Sequence, residues 1–268
     1  MPEQIDPYRL PRTVIPSRYD LRLEPNLHQA TFSGSIAITV DVTEPVDTVW
    51  LNAAELDVTS VAIEDAAGHR SPLTEVMLVE AQERLQLGLG RLVGAGQYRL
   101  FLEFEGILND KLHGFYRSIF HDEHGQEHVI ATTQFETTDA RRAFPCFDEP
   151  DFKAVFGVTL IVPEALFAVS NAPVVQETAT GDGRRQVVFA DTMKMSTYLV
   201  AFIVGPFEAT DAVDVDGIPL RIIHPLGKGH LTAYGLDIGA FALRHLAQYY
   251  DIPYPAQKLD LIAIPDFA

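Results

Sequence analysis

The feature that most constrains this chain is a period-two alternation of apolar and polar residues running from residue 17 to about residue 208. Phe32, Gly34, Ile36, Ile38, Val40 and Val42 alternate with Ser33, Ser35, Ala37, Thr39 and Asp41. Successive side chains of a strand point to opposite faces, so the pattern predicts a sheet with one buried face and one mostly polar face. Tyr98, Leu100, Leu102 and Phe104 repeat it against Arg99, Phe101, Glu103 and Glu105, and Phe156, Val158, Leu160 and Val162 form a third run. Residues 65–69, 93–96 and 180–184 carry the Gly and Asp expected of connections between antiparallel strands. Many short strands joined in this way predict a sandwich or a saddle-shaped sheet.

The period changes after about residue 207. His224-Pro225-Leu226-Gly227-Lys228-Gly229 reads as a loop. Tyr234, Ile238, Phe241, Leu246 and Tyr249 then fall mainly three, four and five apart, as in an amphipathic helix ending before Pro253. Leu259, Leu261, Ala263 and Ile264 open another strand. The chain is therefore expected to be mainly β. A large antiparallel β-sandwich or saddle-shaped N-terminal domain over residues 1–209 is followed, over 210–268, by the opening strand–helix–strand of an α/β domain. A second unit so short leaves one face of its helix and sheet uncovered, so the sequence reads as truncated.

Charge and cysteine content exclude several function classes. The 268 residues carry 37 acidic against 20 basic side chains, a net charge of −17, which repels a phosphate backbone and argues against nucleic-acid binding. Cys146 is the only cysteine, so an intrachain disulfide and a zinc ribbon are both excluded and a reducing compartment is expected. The run Met1-Pro2-Glu3-Gln4-Ile5-Asp6-Pro7 has neither the basic start nor the apolar core of a signal peptide. No later stretch is apolar for as long as a membrane span requires, and the protein is expected to be soluble and cytoplasmic.

Three stretches invite a chemical reading and fail it. His121-Asp122-Glu123-His124-Gly125-Gln126-Glu127-His128 places His124 and His128 four apart, but the flanking segments alternate like paired strands, and Asp-Glu-His-Gly between them is a polar hairpin tip. Gly88-Leu89-Gly90-Arg91-Leu92-Val93-Gly94 misses the dinucleotide-loop spacing and precedes a strand where a helix is required, so it reads as a turn. Cys146, between Pro145 and Phe147, reads as a buried small hydrophobe. Neither G-x-S-x-G nor H-E-x-x-H occurs.

The informative segment spans residues 131–150, Ala131-Thr132-Thr133-Gln134-Phe135-Glu136-Thr137-Thr138-Asp139-Ala140-Arg141-Arg142-Ala143-Phe144-Pro145-Cys146-Phe147-Asp148-Glu149-Pro150. It reads as a strand running into capping residues, one helical turn and a proline-bounded loop, with Asp139, Arg141, Arg142, Asp148 and Glu149 pairing to brace that loop. Gln134 and Glu136 are read from pattern alone as exposed strand-end residues.

This segment is similar to the hallmark N-terminal motif of the gluzincin aminopeptidases related to aminopeptidase N. Three further stretches agree with it in order: Leu10-Pro11 through Val14-Ile15-Pro16-Ser17-Arg18-Tyr19-Asp20, Gly114-Phe115-Tyr116-Arg117-Ser118, and Met195-Ser196-Thr197-Tyr198-Leu199-Val200-Ala201-Phe202-Ile203-Val204-Gly205. Tyr254-Pro255 through Ala268 resembles the strand that in this family leads into G-A-M-E-N. The resemblance implies a zinc metallo-aminopeptidase that releases N-terminal amino acids from peptides with a free amine, its catalytic domain thermolysin-like. It also implies that Gln134 lines the pocket for the first side chain and Glu136 binds the α-amine. G-A-M-E-N, H-E-x-x-H, the distal zinc-binding Glu and the oxyanion Tyr are absent from these residues. The chain by itself is therefore expected to be inactive and to depend on C-terminal catalytic domains of the same protein. The rival reading is a non-catalytic member, a β-sandwich scaffold for protein contacts; epoxide-opening chemistry of the leukotriene hydrolase type is a lesser one.

Overall fold

The computed structural model describes residues 8–122 and 124–267. Met1 to Pro7, Glu123 of the histidine-rich segment and Ala268 lie outside the described residues, as does the expectation drawn from the N-terminal run.

Among the described residues, nineteen strands and one α-helix follow in chain order. They are β1 (Val14–Asn26), β2 (Thr31–Val42), β3 (Val46–Asn52), β4 (Leu56–Glu64), β5 (Arg70–Pro72), β6 (Glu75–Val79), β7 (Arg84–Val93), β8 (Gly96–Ile107), β9 (Gly114–His121) and β10 (Glu127–Gln134). Then come β11 (Val155–Pro163), β12 (Phe167–Ser170), β13 (Val174–Ala179), β14 (Arg184–Phe189), β15 (Phe202–Gly205), β16 (Phe207–Ala209), β17 (Val213–Val215), β18 (Ile218–Pro225), α1 (Ala233–Tyr250) and β19 (Leu259–Ile262). Eight strands form one sheet in the order β13-β14-β11-β1-β2-β8-β4-β5. A second sheet runs β12-β15-β10-β9, a third β16-β18-β17 with β19 on β18, and a fourth β3-β7-β6. The molecule is mainly β and its pairings are antiparallel except β1 with β11 and β18 with β19. These two parallel pairs join strands separated by long excursions, where no hairpin forces the direction to reverse.

The alternating runs bury the faces their patterns specify. Ile36, Ile38, Val40, Leu100, Leu102, Phe104, Phe156, Val158 and Leu160 are buried in one continuous core, while Tyr98 is only half-buried at its edge. Each large side chain taken fully out of water contributes about 1.5–3 kcal/mol. A smaller second core of Phe120, Ile130, Val169, Ile203, Phe207 and Ile223 joins the sheet containing β10 to the sheet containing β18. That third sheet begins at Phe207.

Glycine accounts for two departures from the sequence reading. Gly88–Gly90 lie inside β7 and form no turn, because Gly88 is opposite Glu75, and a Cβ there would lie 2.8 Å from the Glu75 Cβ. A strand glycine here marks close approach of a neighbour. In α1 the residues read as the apolar stripe, Tyr234, Ile238, Phe241, Leu246 and Tyr249, point outward and are exposed. The helix meets the sheet through Gly235 and Gly239, where added Cβ atoms would lie 2.8 Å from Ile222 and 2.9 Å from Leu261. Among the described residues no helix is long and apolar enough to cross a membrane.

Cross-strand pairs in the large sheet use glycine in the same way. Phe104 on β8 faces Gly34 on β2, and a Cβ at Gly34 would stand 2.6 Å from the ring and 2.8 Å from Leu23. Gly34→Ala should therefore destabilise the chain by about 1–3 kcal/mol through overpacking, read as a lower urea midpoint with an unchanged slope. An unchanged midpoint would show that the ring moves aside freely. Cys146 is wholly buried where its backbone bridges to Asn52, and burial, with the Asp148 carboxylate adding to it, pushes the thiol pKa well up. It should resist iodoacetamide in the native chain at pH 8 and react after unfolding in urea; rapid native labelling would refute its burial.

Candidate substrate-binding site

The segment carrying Gln134 and Glu136 is held by the residue between them. Phe135 is buried and packs edge-on against Phe144 and Phe202, with ring centroids 6.0 Å and 5.8 Å away. Gln134, the last residue of β10, is half-buried and Glu136 is exposed. The Glu136 backbone N–H donates to Gln134 Oε1 at 3.2 Å, so the two residues the resemblance singles out are in direct contact. Gly114 faces Gln134 across the β9–β10 ladder with a left-handed φ of +69°. A Cβ there would press on Arg142 at 3.0 Å.

Beyond Glu136 the chain turns and is braced by charge. The Asp139 N–H donates to the Phe135 carbonyl at 3.0 Å, and the Arg142 N–H to the Asp139 carbonyl at 3.1 Å. The Arg142 guanidinium reaches three carboxylates, Asp139 at 2.8 Å, Glu55 at 2.7 Å and Glu83 at 2.6 Å. Burial disfavours its charge, but the hydrogen bond to Asp139 and the fields of Glu83 and Glu55 outweigh that and hold its pKa up. Arg141 donates to Asp148 at 3.0 Å and to Glu83 at 3.1 Å. Asp148, buried, also accepts from the Thr197 hydroxyl at 2.6 Å. Glu149 accepts from Arg9, Arg12 and the Leu10 N–H. The five residues read as loop braces thus act as such. Their partners Glu55 and Glu83, and Asn52, whose Oδ1 accepts from the Asp148 N–H at 3.1 Å, escaped the sequence reading, since none lies near the motif in the chain.

The histidine-rich segment is a hairpin end, with His121 opposite Glu127 and Gly125 at a φ of +77°. His128 stacks on Phe120 and its Nε2 lies 3.1 Å from Asp122 Oδ2. That contact, with backbone N–H groups of Gln126 and His124, lowers the Asp122 pKa to about 2. Among the described residues no group of three His, Cys, Asp or Glu side chains is placed to hold a metal ion. A surface hollow of about 890 Å³ bordered by Glu24, His28, Asp57, Glu105 and Arg184 includes neither Gln134 nor Glu136.

The profile of the Peptidase M1 N-terminal domain family matches residues 15–199. The chain is 43% identical over 263 residues to Aminopeptidase M1-A of Oryza sativa subsp. japonica, covering 97% of this chain and 30% of that protein. It is 42% identical over 261 residues to the puromycin-sensitive aminopeptidase of Caenorhabditis elegans, covering 97% of this chain and 28% of that protein. It is 36% identical over 263 residues to human endoplasmic reticulum aminopeptidase 1, covering 97% and 28%. The chain thus spans under a third of the length of these curated relatives, and it belongs to the peptidase M1 family, whose N-terminal domain it carries.

Proposed function

We propose that this chain is the N-terminal part of a zinc metallo-aminopeptidase, in which residues 1–209 form the N-terminal β domain and 210–268 open the thermolysin-like catalytic domain. In that protein Glu136 binds the free α-amine of a peptide and Gln134 lines the pocket for its first side chain. The described residues offer no metal-binding set, so this chain's share of the chemistry is recognition. The observation that carries the reading is a contrast within one loop. Asp139, Arg141, Arg142, Asp148 and Glu149 are all engaged by bracing partners, whereas the Glu136 carboxylate has no partner among the described residues. A bracing acid is paired; an acid held at a rigid strand end and left unpaired is placed for a cation that arrives with the substrate. A free N-terminus places an ammonium beside the first peptide bond, so anchoring it sets that bond for cleavage and explains exopeptidase action once the rest of the protein excludes water from the pair. A cytoplasmic setting suits a chain whose one cysteine is unpaired and buried.

In the full-length protein, truncating one partner of such a desolvated pair typically costs about 2–5 kcal/mol. Glu136→Ala should therefore lower kcat/KM by about 30-fold to a few thousandfold, with zinc content and Tm near wild type. The diagnostic comparison uses free and N-acetylated peptides: wild type should prefer the free amine strongly and the variant should lose most of that preference. An intact preference, or unfolding of the variant, would assign Glu136 to structure and favour the scaffold reading.

A further inference from the structure

Tyr116 is wholly buried on β9, yet its hydroxyl finds no partner within its own hairpin: it donates to the backbone carbonyl of Asp266 at 2.9 Å, 150 residues further along the chain. Burial, and then the nearby Asp266 carboxylate, raise the phenol pKa to about 12, so the group stays a neutral donor across the pH range of peptide chemistry.

The route of the chain to that point is defined. β19 runs parallel to β18 with Ile262 beside Ile223, and the Ala263 N–H continues the contact by donating to the Ile223 carbonyl at 2.8 Å. Ile262 and Ile264 pack on the second core, which contains Phe120 of β9 and Ile130 of β10. The segment thus crosses from the third sheet onto one face of the β9–β10 hairpin. Directly opposed residues of an antiparallel pair share a face, as do residues two apart. Tyr116 is opposite Thr132 and Gly114 is opposite Gln134, so Tyr116 and Gln134 lie on the same face, about 7 Å apart along the strands. Phe115 and Phe135 occupy the other face and enter the main core.

We infer that Tyr116 is a positioning residue that holds the segment 265–267 over the face of β10 that presents Gln134, so that the amine end of a peptide is bounded by both. This rests on the amine-anchor reading of Glu136. In the full-length protein Tyr116→Phe keeps the ring in its buried place and removes only the tether. Amide hydrogen exchange at Asp266 and Phe267 should quicken, and kcat/KM for free-amine peptides should fall about three- to tenfold, the loss of one neutral hydrogen bond, mainly through KM. In a Glu136→Ala background the same change should have little further effect on kcat/KM, since the anchor it aligns is gone. Unchanged exchange at Asp266 and Phe267, or a lowered Tm with kcat/KM and KM untouched, would overturn the inference and leave Tyr116 a stabilising residue only. The two readings separate cleanly: if Glu136→Ala leaves the amine preference intact, the anchor reading falls. If Glu136→Ala abolishes that preference while Tyr116→Phe leaves the kinetics unchanged, only the positioning role falls.

Discussion

The site depends on β10 being buried on both faces. Ala131, Thr133 and Phe135 pack into the main core, while Ile130 enters the second core and Thr132 is buried on the same side as Gln134. A strand clamped between two cores cannot roll or slide without opening one of them, so the position of its last residue is set by packing and not by the loop that follows. Aromatic contacts extend the clamp: Phe32 meets Phe115, Phe115 meets Phe202, and Phe202 meets Phe135, with centroids 4.9–5.8 Å apart. Such pairs add about 0.5–1.5 kcal/mol each beyond the area they bury. Gln134 and Glu136, on either side of Phe135, inherit this rigidity.

Charge completes what packing begins. Arg141 and Arg142 bind carboxylates from the loop itself, from the residues between β3 and β4, and from the turn before β7, with Glu83 shared by both. Isolated surface ion pairs contribute little, but the two guanidinium groups and Asp148 are largely withdrawn from water and linked in a network, so leaving one of these without its partner is costly. Within this loop the acids Asp139, Asp148 and Glu149 are all paired, and Glu136 is the one that is not.

The small third sheet is connected to this arrangement by contacts of different character. Phe207 and Ile223 share an apolar cluster with Ile130, and the Lys258 ammonium, partly desolvated so that its pKa falls, binds Asp260 and the Ser170 carbonyl. These contacts tie β19 to the sheet carrying β10. The helix above, by contrast, touches its sheet on its glycine side and keeps Phe241, His245 and Tyr249 stacked at the surface.

The sequence by itself determined the β architecture, because a strand with one dry and one wet face must alternate, and β2, β8 and β11 do so over most of their length, Ala37 and Ile161 being buried on the second face. It also marked residues 131–150 as the segment to watch, through motif resemblance, since neither Gln134 nor Glu136 differs by pattern from an ordinary strand end. The tertiary structure decided the rest. Whether Gly88 sits in a turn or a strand depends on Glu75 crossing beside it, and which face of α1 meets the sheet depends on how closely backbone can approach backbone. Which acid is engaged and which segment is tethered depends on contacts such as Arg142 with Glu55 and Tyr116 with the Asp266 carbonyl, 87 and 150 residues apart. Periodicity reports only whether a residue faces water or core; it carries no information on which distant group will meet it there, because that is fixed by the order in which strands stack and not by the strands themselves.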